Sequence, residues 1–174
     1  MFKDLTKSRI QRDLVGFICF CILLFFDLYT KNLADCYLKG TDGMDVIKGV
    51  FRLQYLENTG AAFSLFTGKI VFFYIITVIL CAIILRVLFL LPSDRHFYPF
   101  FYALVVLLSG AVGNFIDRIL HQYVIDFLYF SLIDFPIFNM ADIYVTTSVF
   151  FLFLLLMFFY KDEELSAVFQ RKSK

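Results

Sequence analysis

Apolar and polar positions fall in long blocks along the chain. A basic, polar start (Lys3, Lys7, Arg9, Arg12) leads into an apolar run from Leu14 to Leu28. Further apolar runs cover Ile70 to Leu91, Phe97 to Ile116 and Ile143 to Tyr160. About 20 apolar residues in a helix cross a bilayer. The blocks therefore predict four transmembrane helices, at about 14–28, 70–91, 97–116 and 143–160, the first somewhat short in its apolar part. A charged start before an apolar run also resembles a secretory signal. No small-residue cleavage motif follows it, so the run is read as a retained helix. Arg86 lies near a helix end, where a long side chain reaches the headgroups. The turn PSDRH allows only an antiparallel helix pair.

The intervening regions, about 29–69 and 117–142, are mixed. VIKGVFRLQYLEN sets Val50, Arg52 and Gln54 against Phe51, Leu53 and Tyr55, which predicts a small β-structure at the membrane surface. NTGAAFSLF reads as a turn entering a short apolar segment. Ser109, Gly110, Ala111 and Gly113 give the third helix a small-residue end, where helix backbones approach closely in lipid. Residues 161–174 read as a polar tail with a mobile end. The pattern predicts an all-α membrane protein with a single integral membrane domain, 1–174.

Composition agrees. The chain of 174 residues is 61% hydrophobic, against about 45–50% apolar in soluble domains. A net charge of +1 gives no case for nucleic acid as a partner. Trp is absent, so Tyr must supply any interfacial aromatic belt. Cys19, Cys21 and Cys81 sit in apolar runs and, with Cys36, match no zinc-ligand spacing; they read as small buried residues. An even number of spans puts both termini on one side. That side, with the PSDRH turn, holds Lys3, Lys7, Arg9, Arg12, Arg86, Arg95, Lys161, Arg171, Lys172 and Lys174. The other holds Lys31, Lys39, Lys48, Arg52, Lys69 and Arg118. This bias puts both termini in the cytoplasm and regions 29–69 and 117–142 outside.

The polar residues set in this apolar chain carry the candidate chemistry, because charge at membrane depth is costly. Asp27 and Lys31, four apart, form either a helix-end ion pair or part of a site. Asn58 either caps the turn that Gly60 permits or bonds a substrate backbone; spacing alone favours the cap. Asn114 and Asp117 share a face at the end of the third helix. Arg118 either pairs with Asp117 or reaches a lipid phosphate. Asp126, in the strand-like run YVIDFLYF, has apolar neighbours that favour its protonated form. Asp142, three residues after Asn139, is either an ordinary helix cap or the ionised member of a pair. If Asp126 and Asp142 meet, they share one proton, the arrangement that splits a peptide bond with water.

ENTGAAF, GNFIDR, VIDF and FPIFNMAD, in that order and spacing, resemble the motif blocks of lipoprotein signal peptidases, the type II signal peptidases of bacteria. The likeness spans Asp27 to Asp142. It implies an inner-membrane aspartyl endopeptidase that cuts prolipoproteins before a diacylglyceryl-modified Cys. The implied fold is a four-helix bundle with a small extracytoplasmic β-cradle and a short surface helix. Asp126 and Asp142 would be the catalytic dyad. Asn58, Gly60, Asn114, Arg118 and Asn139 would support the dyad or the substrate, and Asp27 and Lys31 match a polar cluster. The implied enzyme needs no metal or other cofactor, meets its lipid-modified substrate in the membrane, and acts as a monomer. The ENTGAAF loop is placed to clamp the substrate. One departure is Gln122, where the family often has Gly; glutamine lacks the easy left-handed conformation of glycine, which bears on the local loop shape and not on the dyad.

Three other classes compete. A small transporter would hold its key charges near mid-membrane rather than at helix ends. A metal-dependent hydrolase would use the carboxylates as ligands, although only two His are present. A structural adaptor would tolerate Asp126→Asn and Asp142→Asn.

Overall fold

The computed structural model describes residues 2–60 and 70–170. The stretch of NTGAAFSLF beyond Gly60, and with it most of the expected clamp loop, lies outside them. Helices α1 (Phe2–Leu38), α2 (Ile70–Leu90), α3 (Tyr98–His121) and α4 (Met140–Leu154) are each long and apolar enough to cross a membrane, α4 with its continuation to Phe159. Strands β1 (Met44–Ile47), β2 (Phe51–Asn58) and β3 (Val124–Tyr129) form one antiparallel sheet in that order. A one-turn 3-10 helix, Ser131–Ile133, follows β3.

The first helix extends well beyond the apolar run at both ends. Its flanking polar residues are protein-facing rather than terminating. Arg12 is buried, donates to Leu91 O and Pro92 O at the end of α2, and lies over the Phe101 ring at 4.3 Å. Asp27 and Lys31 are buried too. Lipid-facing positions such as Phe17, Phe25, Ile79 and Phe150 are the exposed ones. In a bilayer such exposure costs nothing, and close packing plus buried polar contacts hold the helices together.

The central helix is α3, covered by the other three. Its core residues Phe100, Leu104, Leu107 and Leu108 pack with Ile84 of α2 and with Leu155 beyond α4. The small-residue end performs as expected. A Cβ on Gly110 would lie 2.5 Å from Ala141 O of α4, and one on Gly113 would strike Asp27 Oδ2 of α1. Both glycines let three helices converge at one level.

The tail departs from the reading as a polar extension. Residues Asp162–Gln170 form helix α5, with Val168 buried and Leu165 against the core. Tyr160 donates to His96 O at 2.8 Å, and His96 pairs with Glu164 at 3.2 Å, which ties this helix to the α2–α3 turn.

Candidate active site

Helix α3 ends at His121, and Gln122 turns the chain into β3 with φ 68°, a left-handed conformation that glycine adopts freely and glutamine does not. Glutamine here therefore holds a strained left-handed turn. Strand β3 then pairs with β2, so that Leu56 lies opposite Asp126 and Asn58 opposite Val124. After the 3-10 turn the chain doubles back. Phe138 and Leu128 exchange backbone hydrogen bonds at 2.8 and 3.0 Å. That return sets Asn139 beside the residue it must meet, thirteen positions earlier in the chain (139 − 126).

Asn139 is the joint. It is the N-cap of α4 and accepts from Asp142 N at 3.0 Å, while Asn139 N donates to Asp142 Oδ2 at 3.1 Å. This reciprocal capping box satisfies two otherwise orphaned helix-end donors. The Asn139 amide nitrogen donates to Asp126 Oδ1 at 2.6 Å. One fully buried side chain therefore grips both aspartates. Asn114 repeats the theme from α3, donating to Asp142 Oδ1 at 2.8 Å and accepting from Asn139 Nδ2 at 3.1 Å. Asn58 donates to Asp126 Oδ2 at 2.8 Å and accepts from Gly60 N at 3.0 Å. The cap readings of Asn58 and of Asp142 both form, and each residue also reaches beyond its cap, Asn58 to Asp126 and Asp142 to Asn114.

Behind this layer lies an ion cluster. Lys31 Nζ is 2.9 Å from Asp27 Oδ2 and 3.0 Å from Asp117 Oδ2, and it donates to Asn114 Oδ1 at 2.9 Å. Asp27 Oδ1 accepts from Ala141 N, the residue before Asp142; Asp117 Oδ2 accepts from Ile125 N, the residue before Asp126. Among the described residues Asp117 pairs with Lys31 rather than with Arg118. Arg118 donates to Gly60 O and Asn114 O, both at 3.3 Å, and stacks over Phe73 at 4.7 Å. Asp117 was read from the sequence as a helix-end group, and its burial among three elements is visible only in the fold. Tyr74, which the sequence pattern does not single out, donates to Arg118 O at 2.7 Å.

Asp126 and Asp142 line one cavity of about 640 Å³. Its polar wall also carries Asn58, Asn114 and Arg118; its apolar wall is Leu56, Val124, Phe135, Pro136, Ile137, Phe138, Ile143 and Val145. Burial, reinforced by the charge of Asp142, pushes the Asp126 carboxyl up to about 7 despite the amide bonds from Asn58 and Asn139. Among the described residues, Asp27, Asp117, Asp126 and Asp142 stand around the cavity against Lys31 and Arg118. The excess of negative charge makes one retained proton favourable.

Residues 19–159 match the signal peptidase II family. The lipoprotein signal peptidase of Caldanaerobacter subterraneus is 36% identical over 145 residues, which cover 83% of this chain and 97% of that one. That of Enterococcus faecalis is 37% identical over 143 residues, covering 82% and 88%. A bacterial membrane enzyme solved by the in meso method at 2.3 Å resolution superposes with a TM-score of 0.71 at 30% identity, covering 92% of this chain and 93% of that one. This chain belongs to the signal peptidase II family and is, by that membership, a membrane peptidase.

Proposed function

We propose that the protein is an aspartyl endopeptidase that removes signal peptides from diacylglyceryl-modified prolipoproteins, cutting before the lipidated Cys. The observation that carries this reading is Asn139, which hydrogen-bonds Asp126 and Asp142 at once and turns both into one largely apolar cavity. Asp142, at the N-terminal turn of α4, is the ionised member and takes a proton from water. Asp126 is the protonated member and gives its proton to the scissile carbonyl oxygen as the water oxygen bonds to the carbonyl carbon. Asp142 then gives its proton to the amine nitrogen as the C–N bond breaks, and a hydroxyl of the tetrahedral species returns its proton to Asp126, so that the dyad again holds one. Asn58, Asn114 and Asn139 hold the two carboxyls in place. Arg118 and Gly60 brace the cavity wall. The Asp27–Lys31 pair anchors the residues preceding the dyad.

The substrate's acyl chains stay in lipid, and the apolar wall beside the dyad suits a segment arriving from that side. Confinement of enzyme and substrate to one membrane supplies part of the alignment that the reaction needs. In this reading the enzyme is a single-domain monomer in the bacterial inner membrane, with both termini cytoplasmic and the site on the outer face. No metal takes part.

The test is cleavage by the purified protein of a diacylglyceryl-modified precursor and of its unmodified twin. The modified one is cut, EDTA leaves the rate unchanged, and Asp126→Asn and Asp142→Asn each lower kcat by roughly 10³ or more. Equal cutting of both precursors, or retention of activity by either variant, refutes the reading.

A further inference from the structure

We propose that the turn Phe130–Asp134, beyond β3, is a wedge that inserts into the lipid leaflet beside the cavity. Leu132 and Ile133 at its tip are 67% and 69% exposed, more than most lipid-facing residues of the spanning helices. Two adjacent apolar side chains this bare at the end of a surface turn are costly in water.

The turn is built, not slack. Asp134 takes a left-handed conformation, φ 48°, and its carboxylate accepts from Tyr129 Oη at 2.5 Å. Leu132 N donates to Val50 O in the β1–β2 turn at 3.3 Å, and Phe135 N donates to Phe130 O at 3.1 Å. Phe130 stacks on Phe138 at 5.8 Å and meets Phe51 at 5.0 Å. These contacts fix the base of the wedge and leave Leu132 and Ile133 as its barest apolar side chains, flanked by the half-exposed rings of Phe130 and Phe135 and by the exposed Asp134.

What covers the tips is settled by continuity. The turn passes without a break into Phe135–Phe138, the apolar wall of the cavity, and then into α4, a membrane-spanning helix. An apolar surface joined in this way to a spanning helix meets lipid. Lys48 in the neighbouring turn is exposed and suits the phosphate level of the same leaflet. The wedge itself does not depend on the peptidase reading. Its use does: it would hold the cavity mouth against the bilayer, so that a lipid-modified peptide slides in without crossing water.

The chain contains no Trp, so Leu132→Trp creates a single reporter. Ile133→Trp serves as the second reporter if the first fails to fold, and Phe150→Trp on the lipid face of α4 calibrates the response. Each variant is reconstituted in phosphatidylcholine vesicles, with or without bromine high on the acyl chains. Expected at either tip are blue-shifted emission, quenching by the brominated lipid, and protection from aqueous acrylamide. Quenching by acrylamide with indifference to bromine overturns the proposal. So does protection from both quenchers, which would mean a protein partner or a second copy. No cleavage is measured, so this result stands apart from the test of the peptidase reading.

Discussion

At the scale of single residues, the balance around Asp126 decides the chemistry. Two amide donors on its carboxylate favour ionisation, yet burial and the charge of Asp142 outweigh them and bring it to about 7. In the proposed mechanism the dyad's shared proton is kept below that pH and lost above it. The expected profile of kcat/KM therefore falls as pH rises past about 7, read as apparent values of the pair. Stability follows the same proton. The folded chain holds it more tightly than the unfolded chain, whose value is near 3.8. Below about pH 4 both states are protonated and Asp126 costs nothing; from there to about 7 the folded state loses stability. Melting curves in detergent should show the parent weakening across this window and Asp126→Asn lacking that component. A parent that gains stability over the window would contradict the assignment.

At the scale of elements, the junctions carry the design. The α3–β3 connection has only two residues, Gln122 and Tyr123, and Gln122 meets that need in a conformation that disfavours a side chain. Gln122→Gly should raise stability by about 1 kcal/mol, seen as a higher melting temperature, with cleavage unchanged. Glutamine at this position bears on the local loop shape in the sequence; the helix cap forms with it, Gln122 N donating to Arg118 O at 3.0 Å. The first helix teaches the opposite lesson. Its polar flanks looked like ends because hydropathy reports contact with lipid. Arg12, Asp27 and Lys31 continue the helix because they find partners inside the bundle.

At the scale of the whole molecule, the site collects α1, α3, α4, β2 and β3 at one end of the bundle. Which side of the membrane that end faces is open to a direct reading. Cys36 is exposed in the last turn of α1, whereas Cys19 and Cys21 lie in the middle of α1 and Cys81 in the middle of α2. A membrane-impermeant maleimide added to intact spheroplasts should label Cys36, and Cys36→Ser should abolish that labelling. Labelling only after lysis would invert the proposed orientation.

The sequence alone determined the four spans, the strand at Asp126 and the list of polar residues worth attention. These follow from local rules: apolar length matches bilayer thickness, alternation matches a sheet, and charge in an apolar chain demands a reason. It left each polar residue with two readings, since spacing along a chain does not say what lies across it. Tertiary structure decided those. Only the return of Phe138 onto Leu128 brings Asn139 to Asp126, and only the glycine-lined approach of α3 to α1 and α4 sets Lys31 between Asp27, Asp117 and Asn114. A buried polar group takes whatever partner the fold delivers, and its cost when unpartnered makes that choice specific.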